Sequence, residues 1–134
     1  MSLQFNVDLR NAWLDAIETA GGASPTLQVR TGSKPATCAS AATGTVLVSF
    51  SLPADWLVAG SGGVISKNGL WTGTTSITGQ PGYFRIINAT SNVCIIQGTA
   101  TVDGGGGDME IDIVPIVAGF QFTVVTFQIS APGG

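Results

Sequence analysis

Residues 93–114 constrain the fold more than any other part of the chain, because apolar and polar residues alternate along nearly the whole segment. A period of two places alternate side chains on opposite faces of a β-strand. The pattern covers residues 94–102, is interrupted by four consecutive glycines at 104–107, and resumes at Met109. We therefore predict one long β-hairpin, with Val102 opposite Met109 and Ala100 opposite Ile111, that has one apolar and one solvated face.

Shorter strand patterns recur along the rest of the chain. They predict strands at residues 26–31, 46–52 and 83–87. The closing strand, 120–129, changes its apolar phase part-way, which indicates either a β-bulge or burial on both faces and a central position in the sheet. Asn68 and Gly69 separate two short apolar runs and are typical of a two-residue hairpin turn.

Helical periodicity is convincing only in residues 9–20, where six apolar residues share one face: Leu9, Ala12, Trp13, Ala16, Ile17 and Ala20. Asp8 is a suitable N-cap, and the two glycines at 21 and 22 are a suitable end. We expect Trp13 and Ile17 to dock this helix on a sheet. Contact with another subunit is the alternative for the same two side chains.

Many short strands, frequent turns and a single helix indicate an all-β protein, a β-sandwich or jelly roll with one N-terminal α-helix. The chain has 134 residues, which suits one domain over residues 1–134. The first residues form an N-terminal arm in which Leu3, Phe5 and Val7 alternate with polar residues. This alternation predicts a short additional strand.

The composition argues against several functions. Charged residues make up 10 % of the chain and the five basic residues are scattered, so no basic patch for a nucleic acid is expected. Histidine is absent, which removes the usual general base near neutral pH and the commonest metal ligand. No apolar run reaches the length of a membrane span, and the N-terminus lacks the features of a signal peptide. We expect a non-enzymatic protein, made in a cytoplasm, that binds neither nucleic acid nor membrane.

Residues with chemical potential also have simpler interpretations. Cys38 and Cys94 could form one disulfide or none, and their separation matches no zinc motif. The acidic residues around the glycines fit neither the repeat-in-toxin nor the EF-hand calcium pattern. A phosphate-binding glycine loop would lead into a helix, whereas here a strand follows. We therefore predict no catalytic, cofactor-binding or metal-binding residues. A sugar-binding site could be lined by four aromatic residues: Trp13, Trp56, Trp71 and Tyr83. Packing of at least two of them in the core is favoured.

Several short motifs, spread over nearly the whole chain, together resemble a group of small proteins encoded among the structural genes of tailed bacteriophages and prophages. They include Arg10-Asn11-Ala12, Arg30-Thr31-Gly32, Pro35-Ala36-Thr37-Cys38, Leu52-Pro53-Ala54-Asp55-Trp56, Gly82-Tyr83-Phe84-Arg85-Ile86, Cys94-Ile95-Ile96-Gln97-Gly98 and Gly104-Gly105-Gly106-Gly107-Asp108-Met109. The resemblance implies a virion component and supplies no catalytic residues.

Within that setting we expect a capsid decoration or cement protein on the outer surface of the head. Its partners would be the major capsid protein and further copies of itself, as a dimer or trimer. The N-terminal arm and the loops 32–44 and 60–82 would supply contacts, through the candidate interface residues Leu3, Phe5, Val7, Trp13, Lys34, Pro35 and Trp71. A tail-fibre or glycan-binding host-recognition module is the alternative, and a small enzyme is the third.

Overall fold

The computed structural model describes residues 3–112 and 115–132. This part of the chain forms one helix and eight strands: α1 (Val7–Gly21), β1 (Thr26–Arg30), β2 (Val46–Ser51), β3 (Val64–Ser66), β4 (Thr72–Thr74), β5 (Tyr83–Ile87), β6 (Cys94–Val102), β7 (Met109–Ile111) and β8 (Gln121–Ser130). The predicted all-β class with one N-terminal helix is confirmed.

The strands form one sheet in the order β2-β1-β5-β6-β7-β8-β3, with β4 also paired to β8. The β2 end of the sheet lies close to β4. Just after β4, the backbone N–H groups of Ser76 and Ile77 both donate to the carbonyl oxygen of Leu47 in β2. This single sheet does not confirm the jelly-roll order. The predicted hairpin around Asn68 and Gly69 is wrong, since β3 and β4 pair with different parts of β8 instead of with each other.

The predicted hairpin between β6 and β7 is also wrong. The two strands are parallel, with Ala100 beside Met109 and Val102 beside Ile111. Parallel neighbours usually need a connection of about a dozen residues or more. Here only six residues, 103–108, connect β6 to β7, because their backbone folds back along β6. Glycine is required on this path: Gly104 and Gly106 have φ of 85° and 81°.

The strand β8 is central and irregular, as its sequence predicts. It pairs with β7 on one edge and with β3 and β4 on the other. Its register shifts so that Thr126 pairs with Glu110 but Val124 pairs with Ile111. The extra residue, Val125, changes which side chains face the core, and this explains the change of apolar phase.

The core is rich in aromatic side chains. Trp56, Trp71 and Tyr83 are fully buried, which confirms that at least two of the four candidate aromatics serve packing. Phe127 lies between Trp71 and Phe84, with ring-centroid distances of 5.3 Å and 5.6 Å respectively. Contacts of this kind stabilise an interior beyond simple burial of apolar area.

The helix begins two residues earlier than predicted. Asn6, not Asp8, is the N-cap, and its side-chain oxygen accepts a hydrogen bond from the Leu9 N–H at 2.9 Å. Gly22 forms the C-cap with φ of 76°. The expected strand in the N-terminal arm is not formed, because Val7 already belongs to the helix and Leu3 and Phe5 pair with no strand. None of the helical structure among the described residues is long and apolar enough to cross a membrane.

Candidate interaction surface

The helix α1 is attached to the sheet through hydrogen bonds on a largely polar face. Backbone N–H groups of residues 57, 60 and 63 donate to three side chains of successive helical turns: Glu18 at 2.7 Å, Asp15 at 2.7 Å and Asn11 at 2.9 Å. Leu14 supplies the buried apolar contact, and only 3 % of its surface is exposed. The helix is therefore held by Asn11, Leu14, Asp15 and Glu18.

This attachment leaves the most apolar face of α1 in solvent. Leu9 and Trp13 are 42 % and 41 % exposed, although the sequence pattern predicted that this face would dock on the sheet. Ile17 packs partly against the core, so the predicted anchoring role holds for Ile17 and is wrong for Trp13. The physical reason is that the three hydrogen bonds to backbone N–H groups orient the helix with Trp13 outward.

The N-terminal arm extends this exposed face. Leu3 and Val7 are 64 % and 43 % exposed, and the ring of Phe5 lies edge-on to Trp13 at a centroid distance of 4.8 Å. We call these exposed or half-buried apolar residues the arm–helix patch: Leu3, Phe5, Val7, Leu9 and Trp13. Within the patch, Leu9 and Trp13 share one helical face and Phe5 contacts Trp13, whereas Val7 lies on another side of the first turn. Large apolar side chains that lie together on a surface indicate a site of protein–protein contact. Of the seven predicted interface residues, the structure thus brings Phe5 and Trp13 together and leaves Leu3 and Val7 exposed, and it adds Leu9 beside Trp13.

The remaining predicted interface residues lie elsewhere. Lys34 is exposed and Pro35 is half-buried, both in loop 32–44. Trp71 is 0 % exposed, its indole N–H donates to the Asn68 carbonyl oxygen at 3.2 Å, and it packs against Phe127. Trp71 is therefore a core residue, and its assignment to an interface is corrected.

Loop 32–44 is tied to the outer face of the sheet. Cys38 forms a disulfide with Cys94 at the start of β6, with a Cα–Cα distance of 5.4 Å. Arg85 of β5 is 5 % exposed, and its guanidinium donates to the carbonyl oxygens of Thr37 and Ser40 at 3.3 Å and 2.8 Å. The Tyr83 hydroxyl accepts from the Thr43 N–H at 2.9 Å. This loop can therefore present Lys34 from a fixed position.

The glycine segment between β6 and β7 satisfies its own polar groups. The N–H groups of Gly107 and Asp108 donate to the hydroxyls of Thr101 and Thr99 at 2.9 Å and 3.1 Å. The carboxylate of Asp108 in turn accepts from the Thr99 N–H at 3.0 Å. Within residues 3–112 and 115–132, no group of three metal-ligating side chains is placed to hold an ion. The predicted absence of a metal site remains a prediction.

Glu110 supports the same segment electrostatically. Its carboxylate accepts from the Gly106 N–H at 3.0 Å and from the Thr126 hydroxyl at 3.1 Å. Hydrogen bonds from the Gly106 and Gly104 backbone and from Thr126 hold the pKa of Glu110 below its ordinary value of 4.5. The charged form of Glu110 is thus favoured in the folded state.

Glu110→Gln is expected to destabilise the protein at neutral pH and to have progressively less effect in acid. A carboxyl whose pKa is lower in the folded state stabilises the fold above its unfolded pKa, and this contribution is lost as the pH falls through the folded pKa. Urea denaturation of both proteins at neutral pH and at about pH 3 measures the difference. An equal difference at the two pH values would contradict the assigned role of the Glu110 charge.

Two other carboxyl groups lie close together where α1 meets the sheet. Burial raises the pKa of Glu18, and the neighbouring carboxyl of Asp55 raises it further, while the hydrogen bond from the Leu57 N–H lowers it. The sequence did not reveal this pair, because the two residues are far apart in the chain. The Glu18 carboxylate has a structural partner in the Leu57 N–H. The depression beside it is lined by three polar and three small residues: Glu18, Thr19, Asp55, Gly22, Ala23 and Ala54.

The sequence contains only weak signals for the exposure of Leu9 and for the hydrogen bonds that attach α1 to the sheet. Leu9 was placed on the apolar helical face that was expected to dock on the sheet. Nothing in the spacing of Asn11, Asp15 and Glu18 indicates that they bind backbone N–H groups. Comparison of the chain with protein-family models, with curated proteins and with solved structures finds no match.

Proposed function

We propose that this protein is a structural component of a phage particle, a capsid decoration or cement protein that bridges capsid subunits on the outer surface of the head. The observation that carries the proposal is the arm–helix patch. Its apolar side chains, including Trp13 and Leu9, face solvent on a helix that is firmly held by its other face. The resemblance of the short sequence motifs to small phage structural proteins supplies the setting.

The mechanism of such a protein is additive. A protein that binds the mature shell and not its disassembled parts stabilises the shell by mass action. Weak contacts become effective when copies associate around a symmetry axis and bind together. Charged residues are 10 % of the chain, so neutral polar groups form much of the surface, and their desolvation costs less than that of unpaired charges.

Addition of the purified protein to heads that lack it tests the proposal. We expect saturable binding and an increase in the temperature at which the heads open. We also expect the protein to be among the abundant proteins of the particle. A scarce protein that does not bind such heads, but binds host envelope glycans, would contradict the proposal and favour the host-recognition alternative. That alternative assigned glycan binding to Trp71, Tyr83 and the glycine-rich loops, and the rings of Trp71 and Tyr83 are fully buried.

Trp13→Ala is expected to weaken binding to heads at least tenfold, because large aromatic residues at the centre of an interface commonly contribute more than about 1.4 kcal/mol. Its melting temperature should change little, since Trp13 is 41 % exposed. Sedimentation of labelled protein with heads measures the binding. Phe120→Ala is the matched control, because Phe120 is also aromatic, is 58 % exposed and lies outside both the patch and the loops 32–44 and 60–82. Equal losses in the two variants would remove the arm–helix patch from the interface.

A further inference from the structure

A cavity of about 300 Å³ lies where loop 32–44 meets β5 and the start of β6, beside the disulfide. We call it the disulfide cavity. Its volume is at the lower end of the range of small-molecule sites, about 300–1,000 Å³. Arg85 is the only charged residue among the described residues that line it: Cys38, Ala39, Ser40, Arg85, Ile87, Asn92, Val93 and Cys94.

Arg85 carries a buried positive charge whose hydrogen-bond partners, among the described residues, are all neutral. The side chain is 5 % exposed. Its Nε donates to the Gln97 side-chain oxygen at 3.1 Å, and its Nη2 donates to the carbonyl oxygens of Thr37 and Ser40. A buried charge is costly unless it is paired, and hydrogen bonds between a guanidinium and a carboxylate are among the strongest that side chains make. Arg85 is therefore suited to receive an anion.

The third nitrogen of this guanidinium, Nη1, is available to a ligand. It forms no hydrogen bond with the part of the chain that the structure describes. Among the described residues that are not exposed, Arg10 Nε is the one fully buried side-chain nitrogen or oxygen atom without a partner, so Arg85 Nη1 keeps access to solvent. Because Arg85 lines the disulfide cavity and its other two nitrogens are bound to protein, Nη1 is the group that it offers there.

Asn92 supplies a second donor to the same cavity. Its backbone is in the left-handed conformation, with φ of 59°, and its N–H donates to the Asn88 carbonyl oxygen at 2.8 Å. The Asn88 side chain closes the same turn, because it accepts from the N–H groups of Thr90 and Ser91. The turn is thus held by its own hydrogen bonds. The side-chain amide of Asn92, which is exposed, has no hydrogen-bond partner in residues 3–112 and 115–132.

The remaining walls of the disulfide cavity are apolar or small, and they are held in place. Ile87 is half-buried and Val93 is 54 % exposed. The disulfide and the two hydrogen bonds from Arg85 fix the loop against the strands. A site that is formed before its ligand arrives loses little conformational entropy on binding. The cavity therefore combines one cation, one neutral amide and apolar walls.

We propose that the disulfide cavity binds an organic monocarboxylate. The carboxylate would accept hydrogen bonds from Arg85 Nη1 and Asn92 Nδ2, and its apolar group would lie against Ile87 and Val93. One cation matches one negative charge, whereas a phosphate dianion would keep part of its charge unpaired in this site. The inference goes beyond the proposed function, because binding of the ligand requires no capsid.

Titration of the isotope-labelled protein with benzoate, followed by NMR at constant pH and ionic strength, tests the inference. We expect saturable changes in the backbone amide signals of Ala39, Val93 and Cys94. Benzamide is the matched control ligand, because it has nearly the same shape and no charge. It should bind about tenfold more weakly or worse, since a hydrogen bond to a charged group is stronger than one to a neutral group. Inorganic phosphate is the second control.

Two variants locate the site. Arg85→Gln removes the cation and should weaken benzoate binding about tenfold or more. Arg30→Gln is its matched control, because Arg30 also donates to the backbone of loop 32–44, at Thr43 and Gly44, but does not line the cavity. Arg85→Gln also removes hydrogen bonds that hold the loop, so Ala39→Phe is an independent variant. It keeps Arg85 and fills the cavity from an exposed position, and it should abolish binding.

Saturable binding of benzoate that Arg85→Gln and Ala39→Phe both weaken, and Arg30→Gln does not, supports the inference. No saturable change in the unaltered protein overturns it. Equal affinities for benzoate and benzamide, unchanged binding in Ala39→Phe, or binding of phosphate without binding of benzoate would also overturn it. The peptide acetyl-alanyl-valine distinguishes two sources of the carboxylate. Tighter binding than benzoate assigns the site to a polypeptide C-terminus, weaker binding assigns it to a free acid, and both support a carboxylate site.

Discussion

Reduction of the Cys38–Cys94 disulfide is expected to lower the free energy of unfolding by about 4 kcal/mol. The bridge joins residues 56 positions apart, and in the chain-entropy account a link over a loop of this length removes much of the freedom of the unfolded chain. This is a large part of the stability of a typical small domain, which is about 5–15 kcal/mol. Urea denaturation with and without a reductant measures the change.

The double variant Cys38→Ser/Cys94→Ser is the control for this experiment and should match the reduced protein. Loop 32–44 should remain in place in both, because Arg85 and Tyr83 bind it independently through its backbone. Slow hydrogen exchange of the Thr43 N–H would demonstrate this. Identical denaturation curves before and after reduction would contradict the expected contribution of the bridge.

Trp71→Ala is expected to destabilise the protein by about 4 kcal/mol, as is usual when a large buried aromatic side chain is removed. Trp71 is 0 % exposed, packs against Trp56 and Phe127, and donates its indole N–H to Asn68. The cavity left by the ring and the unpaired Asn68 carbonyl oxygen both contribute. Equilibrium denaturation followed by circular dichroism measures the loss.

Trp71→Phe removes the hydrogen bond but keeps much of the ring volume, so the cavity that it leaves is smaller than that of Trp71→Ala. Its effect should be clearly smaller than that of Trp71→Ala. The folded fraction of either variant should bind other copies normally if Trp71 acts only in the core. A loss of association with little loss of stability would instead restore Trp71 to the interface.

Much of the sheet could be predicted from alternation alone. Alternation places Leu27 and Val29 on one face of β1, and Phe84 and Ile86 on one face of β5; all four are at most 1 % exposed. The reason is geometric, since a period of two assigns each side chain of a strand to one face. Alternation does not identify the neighbouring strand. For that reason β3 and β4 were paired with each other, whereas both pair with β8.

The candidate surface was predicted in part. Four residues of the arm and helix were assigned to an interface: Leu3, Phe5, Val7 and Trp13. Leu3, Val7 and Trp13 are exposed and Phe5 packs on Trp13, although docking of Trp13 on the sheet was the preferred interpretation. Helical periodicity finds the most apolar face of a helix, and that face is usually buried. In α1 the orientation is decided by hydrogen bonds from distant backbone N–H groups to Asn11, Asp15 and Glu18, and no local pattern records them.

Residues 93–114 show which features of the fold the local sequence determines and which ones depend on tertiary contacts. Their alternation determined that Ala100, Met109 and Ile111 face the core, and each is at most 3 % exposed. The tertiary structure decided the direction of pairing: β6 and β7 are parallel because the glycine backbone can fold back against the hydroxyls of Thr99 and Thr101. The face of a side chain depends on local backbone geometry, whereas strand direction depends on contacts that a loop makes only after it has folded.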